Sequence, residues 1–267
     1  MTSYSLKGRK ALVTGGARGL GAGIAEAMAR AGASVVVSDV LETEGRATVD
    51  TIRQAGGKAA FVKLDVTSEA NWERGIASTL EELGGLDILV NNAGIEVSAL
   101  IVDLEVESLR RMLDVNVVGV ALGMKHGLRA MRPGGKAGAG GSIINIASVL
   151  ATIAVPGVAG YSGTKSAVDR LTRIAAQESG KLGYGVRVNC IYPGLVPTQM
   201  GAQLAQDFVT LGLAPNADAA VSGVIAQTPL SRLGEVSDMA DAAVFLASDA
   251  SRFITGIGLP VDGGMGM

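Results

Sequence analysis

Apolar residues in this chain gather in short unbroken runs, and a stretch with helical periodicity follows most of them. The first run, Lys10 to Val13, leads through a glycine-rich turn into a segment that ends at Gly32. Ser34 to Asp39, Lys58 to Leu64, Leu86 to Val90, Gly141 to Ala147, Val186 to Cys190 and Gly256 to Asp262 read as further strands. Their lack of polar alternation points to strands covered on both faces. Ser68 is placed to cap the helix after the third strand, with Glu69 in its first turn. Glu105 to Met131 reads as one long helix, or two joined near Gly119. Tyr161 to Lys181 reads as another, and Ser237 to Ser248 as the last, with Asp238 and Asp241 near its start. Arg132 to Gly141 reads as a flexible connection.

Strands alternating with helices imply parallel pairing, right-handed crossovers and helices on both faces of the sheet. One excursion departs from that rhythm. Leu195 to Leu230 is apolar and loop-like, with a short helix near Met200 to Leu211, and is the expected substrate lid at 195–230. No composition break or internal repeat divides residues 1–267, so one domain is expected.

Composition narrows the classes. With 48% apolar and 18% charged residues, the 267-residue chain reads as globular with ample core. A net charge of −2, with Lys and Arg scattered, gives no reason to expect nucleic acid or an anionic membrane as partner. Residues 137–164 carry no charge and are long enough to span a bilayer. Gly138, Gly140, Gly141, Ser142, Asn145, Ser148, Pro156 and Gly157 interrupt them, so a buried strand and loop fit better than a membrane span. Cys190 is the sole cysteine and the N-terminus shows no apolar leader, which suits a reducing, cytoplasmic setting. No metal-ligand cluster stands out, and His126, the only histidine, is expected at the surface.

Candidate chemistry begins at Thr14 to Gly21. The spacing Gly15-x-x-x-Gly19-x-Gly21, between a strand and a helix, allows a tight turn and close approach of backbone to a phosphate. Asp39 ends the second strand, 18 residues beyond Gly21. A carboxylate there would bond an adenosine ribose and repel a 2′-phosphate, which favours NAD over NADP. Arg18 pulls mildly the other way, and Val40 offers no second cation. Asp65 ends another strand, as either a ligand contact or a helix-entry residue. Asn116 sits inside an apolar helical stretch, where its amide needs a helix carbonyl or an ordered water. Ser148 follows a strand end, where it either meets a substrate oxygen or simply terminates the strand. Tyr161 and Lys165, four apart, share one helix face, and a neighbouring ammonium would lower the phenol's pKa.

In order and spacing, TGGARGLG (Thr14 to Gly21), NNAG (Asn91 to Gly94), Ser148, YSGTK (Tyr161 to Lys165), YPGLVPT (Tyr192 to Thr198) and a terminal DGG resemble the classical short-chain dehydrogenases/reductases. The resemblance covers essentially the whole chain. It implies an α/β, Rossmann-type doubly wound fold of about seven parallel strands in order 3-2-1-4-5-6-7. It also implies Tyr161 as general acid/base, Lys165 as its pKa modifier and ribose contact, Ser148 as holder of the substrate oxygen, and Asn116 as anchor of a water linking Lys165 to solvent. Cofactor contacts carried over are Gly15, Arg18, Leu20, Gly19 and Gly21 at the pyrophosphate turn, Asp39 at the ribose, and Asp65 and Val66 at the adenine. Asn92, Ala93 and Gly94 follow along the cofactor, with Pro193, Gly194, Val196 and Thr198 at the carboxamide end.

Glu96, Ser148, Leu150, Val155, Val158, Tyr161, Leu195 and Met200 are the expected pocket, with Glu96 read as leaning toward solvent. Such a lining suits a small hydrophobic secondary alcohol or ketone: cyclic, aryl-alkyl or steroid-like. Two departures from the family pattern are Ala147 before Ser148 and Tyr192 before Pro193, the latter expected to narrow the pocket. An NADP-dependent 3-ketoacyl-type reductase and a non-catalytic cofactor-binding sensor are the alternative readings. By the same resemblance a homotetramer is expected, formed through Glu105 to Met131, Tyr161 to Lys181 and the apolar tail from Gly258 to Met267.

Overall fold

The apolar runs become strands β1 (Lys10–Thr14), β2 (Ser34–Asp39), β3 (Lys58–Lys63), β4 (Ile88–Asn91), β5 (Gly141–Ile146), β6 (Val186–Pro193) and β7 (Gly258–Val261) in a computed structural model. It describes residues 4–138 and 140–267. The strands pair in parallel throughout, in the order β3-β2-β1-β4-β5-β6-β7. Successive residues point to opposite faces. Ala11, Val13, Val35, Val37, Val90 and Ile144 therefore join one core, while Leu12, Val36, Leu89, Ile143 and Val188 join the other. Both faces are buried, which is why the strands read as continuous apolar runs.

Helices α1 (Gly19–Arg30), α2 (Glu42–Gln54) and α9 (Val236–Ala247) cover the first face. Helices α3 (Glu69–Leu83), α5 (Gly119–Met131) and α6 (Ala159–Lys181) cover the second. Small residues set the closeness of these layers: a Cβ on Gly23 of α1 would lie 2.1 Å from Val236 Cγ1 of α9. Ser68 caps α3, accepting from Asn71 N. This is a Rossmann-type architecture, and its topological switch lies between β1 and β4, where ligands enter at the strands' carboxyl ends.

Several readings change in three dimensions. The long helix is continuous but not uniform: α4 (Val106–Leu113) runs into α5 through a π-helical turn, Asp114–Val118, that contains Asn116. The excursion after Leu195 is mostly helical, as α7 (Gln199–Thr210) and α8 (Ala217–Gln227), because Thr198 and Asn216 each cap a helix with their side chains. His126 is buried, not at the surface; α5 turns it toward α3, where Nε2 lies 3.3 Å from Glu69 Oε1. Tyr192 does not narrow the pocket. Strand alternation sends its ring into the second core, with its hydroxyl donating to Asp169 of α6. Of the Arg132 to Gly141 connection, Ala139 lies outside the described residues, as do residues 1–3 of the N-terminus. Among the described residues no helix is long and apolar enough to cross a membrane.

The glycine turn is held by contact as well as by conformation. A Cβ on Gly21 would meet Gly15 O at 2.1 Å and Asn92 Nδ2 at 2.4 Å, and neither can retreat without opening the turn. Gly21→Ala is therefore expected to lower stability by about 1–3 kcal/mol. Gly180→Ala, late in α6 with nothing within 4 Å of the new methyl, is expected to be neutral or stabilising. Urea unfolding of the two variants beside wild type measures the contrast.

Candidate active site

The site grows from the carboxyl ends of β1, β4, β5 and β6. Past β5, Ser148 is extended (φ −170°) and opens a short turn, its Oγ accepting from Leu150 N at 3.1 Å. That bond uses an oxygen lone pair and leaves the hydroxyl proton free to donate. Tyr161 and Lys165 lie in the first turns of α6, both buried, with Lys165 Nζ 5.5 Å from the Tyr161 ring centre. Asn116 ties this helix to the segment after β4. Its Oδ1 accepts from Ile95 N at 2.9 Å, and its Nδ2 donates to Ile95 O at 2.8 Å and to Thr164 Oγ1 at 3.0 Å. The partners of its amide are a loop backbone and a threonine hydroxyl, rather than a neighbouring helix carbonyl.

The electrostatics differ from the simple pairing expected of Tyr161 and Lys165. Burial, and then the Glu96 carboxylate, push the Tyr161 phenol above its ordinary range, with the Ser148 hydroxyl opposing them. Lys165 is not bonded to the phenol: its ammonium donates instead to Ile146 O at 2.7 Å. Burial in turn pushes Lys165 down to about 8. A neutral phenol and a readily deprotonated amine thus stand together in the ligand-free site.

At the other end, α1 begins with neither a side-chain cap nor an acidic residue in its first turn. Its leading N–H groups and its dipole are thus available to an anion. Gly15 and Gly19 have φ of +63° and +57°, and a Cβ on Gly15 would lie 2.7 Å from Ala93 Cα. Such a turn fits a pyrophosphate. Asp39 is fixed by two backbone donors, Ala17 N and Leu41 N, each at 3.0 Å. Asp65 is exposed and takes the hydroxyl and N–H of Thr67. Arg18 Nη1 donates to Gln199 Oε1 at 2.6 Å, which links the glycine turn to the first residue of α7. Thr198 accepts from Gly201 N as a helix cap, with its own proton still free.

A cavity of about 1190 Å³ joins these two ends. Gly15, Arg18, Gly19, Leu20, Gly21, Asp39, Asp65, Val66, Asn92, Ala93, Gly94, Pro193, Gly194, Val196 and Thr198 line it beside Ser148, Tyr161 and Lys165. Leu150, Val155, Leu195 and Met200 line it as well. Asn116 stands behind the wall. Val158 does not reach the cavity: it is 1% exposed and pairs with Ala99, which turns it into the fold. Glu96 is half-buried and faces the cavity rather than solvent, because the segment after β4 folds back over the site. Gln203, Leu204 and Phe208 of α7, Val224 of α8 and Arg111 of α4 also line it. Sequence reasoning did not single these out: the apolar character of the excursion hinted at the α7 and α8 residues, and nothing pointed to Arg111.

A family model described as Enoyl-(Acyl carrier protein) reductase matches residues 15–266. The chain belongs to the short-chain dehydrogenase/reductase family. It is 38% identical over 260 residues to trans-4-hydroxycyclohexanecarboxylate dehydrogenase of Sinomonas cyclohexanicum, covering 95% of this chain and 91% of the relative. It is 40% identical over 262 residues to 3-alpha-(or 20-beta)-hydroxysteroid dehydrogenase of Mycobacterium tuberculosis, covering 98% and 91%. A gluconate 5-dehydrogenase from Burkholderia cenocepacia, solved with NADP and tartrate, superposes with a TM-score of 0.87 at 34% identity, covering 98% and 97%.

The buried Lys165 carries a consequence for stability. Its folded pKa, about 8, lies below the ordinary 10.5, so the charged form is penalised in the fold. At pH 7 that penalty is on the order of 3 kcal/mol. Between pH 8 and 10.5 the unfolded chain holds more protons, so this contribution turns more favourable as pH rises. Lys165→Met is therefore expected to melt a few degrees above wild type at pH 7, without cofactor. The gap should close as pH approaches 10.5, and thermal scans across that range test it.

Proposed function

We propose that this dehydrogenase transfers hydride between NAD(H) and a small hydrophobic cyclic secondary alcohol or its ketone, with Tyr161 as general acid/base. The observation that carries the proposal is the convergence of Ser148, Tyr161 and Lys165 on one wall of a cavity whose far end is the glycine turn and Asp39. Bound nicotinamide supplies the hydride donor or acceptor. The Ser148 hydroxyl donates to the substrate oxygen and fixes its position beside the phenol. In alcohol oxidation Tyr161, as phenolate, takes the hydroxyl proton; in ketone reduction it gives that proton back. Lys165 is the buried cation that stabilises the phenolate once its ammonium turns from Ile146 O toward the phenol oxygen. Asn116 holds the segment after β4 and, through Thr164, the first turns of α6.

Asp39 supports NAD. Its carboxylate is locked by two backbone donors at the adenosine end of the cavity, where a 2′-phosphate would meet like charge. Arg18, the cation within the glycine turn, is engaged by Gln199. Two relatives act on ring alcohols, which supports a cyclic substrate; the gluconate enzyme's NADP makes cofactor choice the first thing to measure.

A panel of cyclic secondary alcohols and ketones with NAD(H) and NADP(H) tests the reading, and turnover with NAD at least 10-fold above NADP, by kcat/KM, is the expected result. Preference for NADP with acyl-thioester ketones would replace it with a ketoacyl-type reductase. No turnover with either cofactor would leave a binding protein. Tyr161→Phe is expected to lose at least about 100-fold in kcat while retaining cofactor affinity, measured by quenching or calorimetry. Because neutral Tyr161 must lose its proton while Lys165 keeps its own, wild-type alcohol oxidation is expected to accelerate up to about pH 8 and then level off, with no such rise for ketone reduction.

A further inference from the structure

Glu96 is delivered to the cavity by a backbone pinned on both sides. Ile95 exchanges two hydrogen bonds with the Asn116 amide, and Ala99 N donates to Gly157 O at 2.8 Å. The chain between these anchors cannot swing away, so the carboxylate is fixed on the wall that also carries Tyr161. The same cavity is lined by Leu150, Val155, Leu204 and Phe208, whose side chains offer no hydrogen bond. Ser98 Oγ donates to Oε1 at 2.7 Å. Among the described residues nothing donates to Oε2, and no cation pairs with this carboxylate. The cavity's buried cation, Lys165, is committed to Ile146 O.

A carboxylate that is half out of water and accepts a single protein hydrogen bond has unused acceptor capacity, and desolvation makes a new donor worth more there than in solvent. Burial, with Asp207 nearby, holds the Glu96 carboxyl above the usual range, in keeping with that environment. The complement is a neutral hydroxyl on the substrate. A second carboxylate would meet like charge in a poorly screened pocket.

We propose that Glu96 selects the substrate: its free oxygen accepts a hydrogen bond from a second hydroxyl, so the enzyme prefers neutral cyclic diols and hydroxyketones over mono-alcohols and ring carboxylates. This rests on the secondary-alcohol reading of the same site. It also separates this chain from its hydroxycyclohexanecarboxylate relative, whose substrate carries the charge that Glu96 disfavours.

The test is kcat/KM at pH 8 with NAD for cyclohexanol, the cis and trans cyclohexanediols and 4-hydroxycyclohexanecarboxylate, in wild type, Glu96→Gln and Glu96→Leu. In wild type at least one diol should exceed cyclohexanol by about 10- to 100-fold, mainly through KM, as expected for a hydrogen bond to a charged acceptor. Glu96→Leu should abolish that ratio, and Glu96→Gln, which keeps a carbonyl acceptor, should retain part of it. In both variants the carboxylate-to-cyclohexanol ratio should rise by about 10-fold or more. Ratios within one protein cancel any loss of folded enzyme. Wild-type turnover of cyclohexanol with no diol advantage would overturn the selection role alone. Equal losses on cyclohexanol and diol in Glu96→Leu would do the same. No turnover of any alcohol would overturn both this proposal and the dehydrogenase reading beneath it.

Discussion

Where β4 ends, at Asn91, the chain leaves the sheet and its backbone must find partners outside the ladder. Ile95 finds them in one side chain: Asn116 accepts its N–H and donates to its carbonyl. Because the same amide reaches Thr164, the loop that shapes the pocket and the helix that carries Tyr161 and Lys165 are held to one reference point. The π-turn at Asp114–Val118 accompanies this arrangement, with one turn of the rod widened where Asn116 sits. The pocket wall, the Tyr161 phenol and the Glu96 carboxylate all take their positions from that amide.

Burial then sets the chemistry. Tyr161 and Lys165 are both removed from water, and each is pushed toward its neutral form: the phenol upward, the amine down to about 8. In the ligand-free fold the ammonium is held by Ile146 O instead of the phenol. The catalytic state is therefore not the resting state. On the proposed mechanism it would need positive charge near the phenol and a substrate oxygen that shares the Ser148 proton. The fold carries a stability cost at Lys165 to keep an ammonium buried beside Tyr161.

The cofactor end relies on geometry more than on charge. Uncapped N–H groups of α1, glycines at positive φ and a carboxylate tied to two backbone donors make a cradle with little freedom. Arg18 connects that cradle to α7 through Gln199, so the segment over the pocket is bonded to the glycine turn.

The sequence by itself determined the sheet and its parallel pairing, and it singled out Ser148, Tyr161, Lys165 and the glycine turn, which the fold brings to one cavity. Each is a local property: strand periodicity, a turn that needs glycine, or a helix spacing that puts two side chains on one face. It also located Asn116 as a buried amide in want of partners. Tertiary structure alone decided who those partners were, that Glu96 faces the cavity, that Tyr192 and Val158 turn away from it, and that His126 is buried beside Glu69. It decided too that Lys165 rests on a strand carbonyl rather than on Tyr161, and that the excursion over the pocket is helical. Those outcomes depend on which element packs against which. Residues far apart in the chain set them, and no local pattern records the contact.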